Sequence, residues 1–119
     1  MVTKKRMDEK DSLGKKQHEA GAKLDFGKNR LSLVINGFTK GLQEVGKVGT
    51  GGAVKYTDNG WKEVPNGFAR YSDAMYRHLL SEAAGEVRDQ DTELLHAAHT
   101  AWNALARLEL LIEAEEEGE

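Results

Sequence analysis

The chain has 119 residues, a net charge of −3, a hydrophobic fraction of 39% and no cysteine. A chain of ~100–150 residues organises around one core, so a single domain is expected, and no apolar run approaches the ~20 residues that a membrane span requires. Without cysteine there is no disulfide, thiolate metal site or cysteine nucleophile, so a metal would be held by His, Asp, Glu or carbonyl oxygen, and a reducing cytoplasm is the expected compartment.

The charge is uneven. Residues 1–21 carry six Lys/Arg against four Asp/Glu and no aromatic residue, whereas residues 113–119 carry five Glu. Too little apolar surface is available at either end to offset the entropy of ordering. The expected organisation is a mobile charged tail over 1–21, a helical domain over 22–114 and an acidic tail over 115–119. The N-terminus, MVTKKRMDEKDSLGKKQ, lacks the apolar stretch of a secretory signal. No concentrated basic excess marks a nucleic-acid surface, so neither nucleic acid nor membrane is an expected partner.

In RLSLVINGFTKGLQEVGKV, residues Leu31, Val34, Ile35, Phe38, Leu42 and Val45 share one helical face. The spacing predicts a first helix, with Gly37, Gly41 and Gly46 either weakening it or letting a neighbouring helix approach. VGTGG should break it. The connection AVKYTDNGWKEVPNGF follows, with Asn-Gly turn signals at 59–60 and 66–67 that would suit a short hairpin. A second helix is predicted over roughly 67–86, where Met75, Tyr76, Leu79, Leu80 and Ala83 share a face and Gly85 suits the C-cap region. A third is predicted over about 92–114, with Asp91 and Thr92 as N-cap candidates and a wide apolar arc of Leu94, Ala97, Ala98, Ala101, Leu105, Leu108 and Ile112.

On the far side of that arc, His96, His99 and Asn103 fall on one stripe. The stripe can be read as ordinary hydrogen-bonded residues, as metal-binding imidazoles, or as donors to a base or phosphate. Upstream lie Glu82, Glu86, Asp89, Asp91 and Glu93, which could complete a cation site or simply be solvated, some of them serving a helix N-terminus. In RYSDAMYRHL, Arg70, Asp73 and Arg77 share a stripe and His78 adjoins Arg77; the two arginines could clamp phosphate oxygens, or an arginine could simply pair with Asp73 along the helix. Lys23, Asp25, Lys28 and Arg30 surround Gly27 in a basic turn that could bind an anion or merely begin a helix. Lys55, Tyr56 and Trp61 could supply charge and a stacking surface for a purine, or pin the long connection to the bundle.

Taken in order, KLDFGKNRL, GGAVKYTDNGW, RYSDAMYRHLL, GEVRD and LLHAAHTAWNALARLEL resemble the phage dATP/dGTP diphosphohydrolase family, from residue 23 to about 111. That family is similar to the all-α MazG-like nucleoside triphosphate pyrophosphohydrolases, which use divalent metal to cut between the α- and β-phosphates. The resemblance implies Glu44, His78 and Glu86 as catalytic residues, and Asp89, His96 and His99 as ligands of Mg²⁺ or Mn²⁺. It implies Lys23, Asp25, Lys28, Arg30, Lys55, Arg70 and Arg77, with Tyr56, Trp61 and Asn103, as nucleotide contacts. The paired-glutamate motif of MazG enzymes is absent: Glu44 is the one acidic residue of the first helix. No His-Asp dipeptide of the HD phosphohydrolases occurs either.

The expected fold is therefore an all-α bundle of three principal helices with a long irregular connection, assembled as a homo-oligomer because so small a core gains from a partner. The expected function is metal-dependent (d)NTP diphosphohydrolysis in phage nucleotide metabolism. The rival is a non-catalytic phage protein that binds a nucleotide, sequestering a signal or inhibiting a host enzyme.

Overall fold

The computed structural model describes residues 9–118; residues 1–8 of the expected tail and Glu119 lie outside the described residues. The chain divides into two units, one ending at Gly37 and the other beginning at Phe38.

In the first unit the organising group is a carboxylate. Asp11 Oδ1 accepts the backbone N–H groups of Leu13 (2.8 Å) and Lys15 (3.1 Å), and its Oδ2 accepts that of Lys23 (2.6 Å). Donation from the Lys23 and Lys15 backbones holds this carboxyl below its ordinary range. Asp25 Oδ1 accepts the Ser12 hydroxyl at 2.6 Å, so residues 10–26 are laced together by turns rather than by a core. A single helical turn follows, α1 (Ser32–Ile35).

The second unit contains α2 (Thr39–Lys55), a 3₁₀ turn (Gly60–Glu63), α3 (Gly67–Ala83) and α4 (His96–Glu117). The protein is all-α, with no strand among the described residues. Helix α4 is the central element, packing along α3 and, less extensively, against α2. Three aromatic rings join these pieces: Trp61, Tyr71 and Trp102 meet edge to face with centroids 5.6–6.1 Å apart, and Tyr71 donates its hydroxyl to the Trp61 carbonyl at 2.7 Å.

Several boundaries differ from the sequence expectation. The first predicted helix is two helices interrupted at 36–38, where Asn36 and Gly37 are both poor helix formers. The VGTGG segment does not break α2, which continues to Lys55. Each glycine costs up to ~1 kcal/mol against alanine, but extending an existing helix adds a hydrogen bond per residue. Gly41 and Gly46 admit no close neighbour; it is Gly49 that lies against the Trp102 indole, 3.5 Å from the position of a Cβ. The Asn-Gly pairs make no hairpin. Asn59 (φ 55°) and Asn66 (φ 56°) adopt the left-handed conformation that asparagine tolerates and start the 3₁₀ turn and α3.

The end of α3 follows the expectation at Gly85. Its φ of 101° lets Gly85 N–H reach the Glu82 carbonyl and Glu86 N–H reach the Ser81 carbonyl, each at 3.0 Å, the paired bonds of a Schellman turn. A Gly85→Ala variant should lose about 1–2 kcal/mol through the left-handed strain alone, since nothing crowds the added Cβ. Urea denaturation followed by circular dichroism measures that loss.

Candidate functional site

The Schellman turn redirects the chain into a loop, residues 85–95, that is clasped back on itself. An antiparallel bridge joins Arg88 to Leu95; Asp89 N–H donates to the Leu94 carbonyl (2.8 Å) and His96 N–H to the Val87 carbonyl (3.0 Å). Glu93 takes the left-handed conformation, φ 63°, within the clasp. The predicted start of the last helix at 92 is thereby corrected. Thr92 N–H and its hydroxyl are both given to Asp89 Oδ2, at 2.9 and 3.0 Å, which holds 89–92 as a side-chain-closed turn. Helix α4 begins only at His96, with no side-chain cap.

This arrangement sets His96, 2% exposed, between two partners. Its Nε2 lies 2.6 Å from Glu86 Oε1, and its Nδ1 lies 2.8 Å from Nδ1 of His78 on α3. The carboxylate can only accept, so His96 carries its proton on Nε2 and, when neutral, presents the Nδ1 lone pair toward His78. Donation from His96 and from Gln90 (3.0 Å) holds Glu86 below the ordinary glutamate value. The His99 ring stacks on His78, centroids 4.3 Å apart and planes 5° from parallel. His99 Nε2 is 2.8 Å from the Thr92 hydroxyl. With that hydroxyl's proton given to Asp89, His99 is the donor in this contact.

One charge-selecting environment results. Burial, reinforced by the neighbouring His99, pushes His78 below the ordinary histidine value of 6.5. Burial likewise lowers His99, against the opposing pull of Asp89. Burial works to raise Asp89, but the Thr92 amide and hydroxyl outweigh it and hold the carboxyl low. Neutral imidazoles beside ionised carboxylates are the protonation states that ligate metal.

The sign of the pH dependence follows. Because His78 and His99 keep their neutral forms to lower pH in the fold than in the unfolded chain, the unfolded state binds more protons as pH falls through the ordinary histidine value. Stability should therefore drop below about pH 6.5. Urea midpoints at about pH 7.5 and about pH 5.5 should differ in that direction, and the difference should shrink in His78→Gln, which removes one of the two titrating rings.

An open cleft of about 430 Å³ lies over these groups, lined by Arg77, His78, Ser81, Glu86, Asp89, Gln90, Asp91 and His96. Among the described residues, His78, Asp89 and His96 each bring one ligand atom within 4.8 Å of the others. The structure thus gathers His78 with two of the residues expected as ligands, while His99 buttresses the His78 ring. Arg77 is exposed at the rim.

The remaining expected residues of the second unit do not line this cleft. Glu44 lies on α2, paired with Lys47 at 3.0 Å, and does not line this cleft. Lys55 sits over the exposed ring of Tyr56, 5.3 Å from its centroid. Trp61 belongs to the aromatic trio, and Arg70 reaches the Pro65 carbonyl at 3.4 Å. Lys23, Asp25, Lys28 and Arg30 lie in the first unit, where Lys28 N–H closes a turn on the Asp25 carbonyl at 3.0 Å. Asn103 is 4% exposed; it donates to the His99 carbonyl at 2.9 Å, and its Oδ1 has no partner among the described residues.

One contributor is not marked by spacing in the sequence: Thr92 links Asp89 to His99. Outside the cleft, Arg107 ties α4 to α3 by donating to the Ser72 hydroxyl at 2.7 Å and covering the Phe68 ring at 4.8 Å.

Fold and site together define a small all-α protein with a histidine–carboxylate cleft between the last two helices. Residues 18–119 match the family described as dATP/dGTP diphosphohydrolase, N-terminal, and the chain belongs to that family. A dATP/dGTP diphosphohydrolase of Salmonella phage PMBT28 is 38% identical over 81 residues, 68% of this chain and 26% of that protein. The chain thus spans about a quarter of that relative's length. No solved structure matches. No helix of the described residues is long and apolar enough to cross a membrane.

Proposed function

We propose that the cleft between α3 and α4 binds a divalent cation and the polyphosphate of a purine deoxynucleoside triphosphate, and that the chain acts as a dNTP diphosphohydrolase releasing a monophosphate and pyrophosphate. The observation that carries this reading is the convergence of His78, Asp89 and His96, with His96 braced from behind by Glu86. A carboxylate on the outer nitrogen of a ligating imidazole fixes its tautomer and raises its basicity. The two Nδ1 atoms face each other at 2.8 Å, so both imidazoles would present a nitrogen to the same cation.

Two imidazoles and a carboxylate suit Mn²⁺ better than Mg²⁺, which prefers oxygen ligands. When bound, the metal would supply charge neutralisation at the phosphates and acidify a water. The chain's own residues would do the rest. Arg77 at the rim offers a forked donor set to phosphate oxygens. Glu86, ionised, would hold His96 in the tautomer that turns Nδ1 toward the cation. The nucleotide assignment rests on the family and on the name of the phage relative.

The second reading, nucleotide binding without turnover, is favoured by the small share of the relative that this chain matches, 26%. Incubating the pure chain with dATP or dGTP and Mn²⁺, then resolving the products, separates the two. Monophosphate and pyrophosphate that vanish with EDTA support the enzyme; saturable binding with intact triphosphate supports the second reading; neither result defeats both.

A further inference from the structure

Helix α4 is packed with its polar stripe inward and much of its apolar arc outward. His96 and Asn103 are buried and Trp102 meets Gly49 of α2, so both neighbouring helices cover the same half of the cylinder. On the other half Leu105, Leu108 and Leu111 stay 49–53% exposed, and Ala97 and Ala104 are exposed beside them. These residues form one stripe along the helix.

The stripe is graded. Its N-terminal half is small, Ala97, Ala101 and Ala104; its C-terminal half is bulky, Leu105, Leu108 and Leu111. A second α4 running antiparallel and centred on Ala104 would set Ala97 opposite Leu111 and Ala104 opposite itself, with Leu108 level with Thr100, one residue from Ala101, so that bulky side chains meet the small half of the stripe. A parallel pair would put alanine on alanine and leave a gap. The charges favour the same register. Arg88 NH1 donates to the Glu93 carbonyl at 3.0 Å, which places its guanidinium near the level of residue 93. Glu115 of the antiparallel copy would arrive there. Both are exposed, and neither has an ion-pair partner among the described residues.

We propose that this face is a twofold, antiparallel α4–α4 interface between two copies of the chain, centred on Ala104. It lies on the opposite side of α4 from the cleft, so its test is independent of the proposed activity. Light scattering after size exclusion should give about twice the 13.2 kDa chain mass, and Leu108→Glu should raise the dimer Kd at least about thirtyfold with unchanged helical circular dichroism. Arg88→Glu should weaken the dimer, and Arg88→Glu with Glu115→Arg should restore it. Because the chain has no cysteine, Ala104→Cys should cross-link to itself on oxidation, Ala97→Cys should not, and Ala97→Cys mixed with Leu111→Cys should. A monomer at about 100 µM, a Leu108→Glu variant that stays dimeric, or self-cross-linking of Ala97→Cys would overturn the proposal.

Discussion

Replacing His96 with alanine should lower Mn²⁺ affinity at least about a hundredfold and remove metal-dependent turnover. Isothermal calorimetry on the pure chain measures the first, and product analysis the second. His96 is buried and contacts both His78 and Glu86, so its loss takes away a ligand atom and also frees the two groups it orients. Glu86→Gln is the graded companion. It keeps the shape of the side chain but weakens the charge-assisted bond to Nε2, and outer partners of this kind are worth about 10–100-fold in affinity. Glu44→Gln should leave affinity within about threefold, because Glu44 spends its carboxylate on Lys47 in an exposed pair worth at most about 1 kcal/mol. Equal losses in Glu44→Gln and Glu86→Gln would mean that the cation, if bound, sits elsewhere.

Trp102→Ala should destabilise the fold by about 3–4 kcal/mol, read as a shift in the urea midpoint using the fluorescence of the remaining Trp61. The expectation follows from how little else is buried. Among the described residues the apolar side chains below a tenth exposed are Ala98 and Ala106. The packing of α2, the 3₁₀ turn and α3 on α4 therefore concentrates on Trp102, in contact with Trp61, Tyr71 and Gly49. Edge-to-face rings add about 0.5–1.5 kcal/mol per pair beyond their burial. Against a total stability of about 5–15 kcal/mol, this is a large fraction. A loss below about 1 kcal/mol would show that the trio is peripheral to the fold.

The all-α class and the three principal helices were legible because apolar residues recur at helical spacing, and Gly85 marked the end of α3 because only a residue without Cβ takes φ 101° cheaply. The inward stripe was legible at His96 and Asn103, since both lie opposite the apolar arc. What periodicity cannot tell is which half of a helix meets its neighbours, and here much of the arc faces out while the imidazoles pack in. The length of α2 was hidden because propensity weighs each glycine alone, whereas an established helix carries them. The start of α4 was hidden because Asp89 and Thr92 use their cap-forming chemistry to close a turn. The role of His78 depended on distance: 18 residues separate it from His96, and no spacing rule connects positions on two helices joined by an irregular loop.

That loop has a consequence for folding. The groups lining the cleft, from Arg77 to His96, and the braces Thr92 and His99 come from one α3–loop–α4 segment. Joining the ends of so short a segment costs little chain entropy, and contacts close in sequence form fast. The cleft should thus assemble ahead of the docking of α2, and it should outlast that helix as denaturant rises. In native-state hydrogen exchange, the amides of Asp89 and His96 would stay protected at urea concentrations where those between Gly46 and Gly52 already trade their protons with solvent.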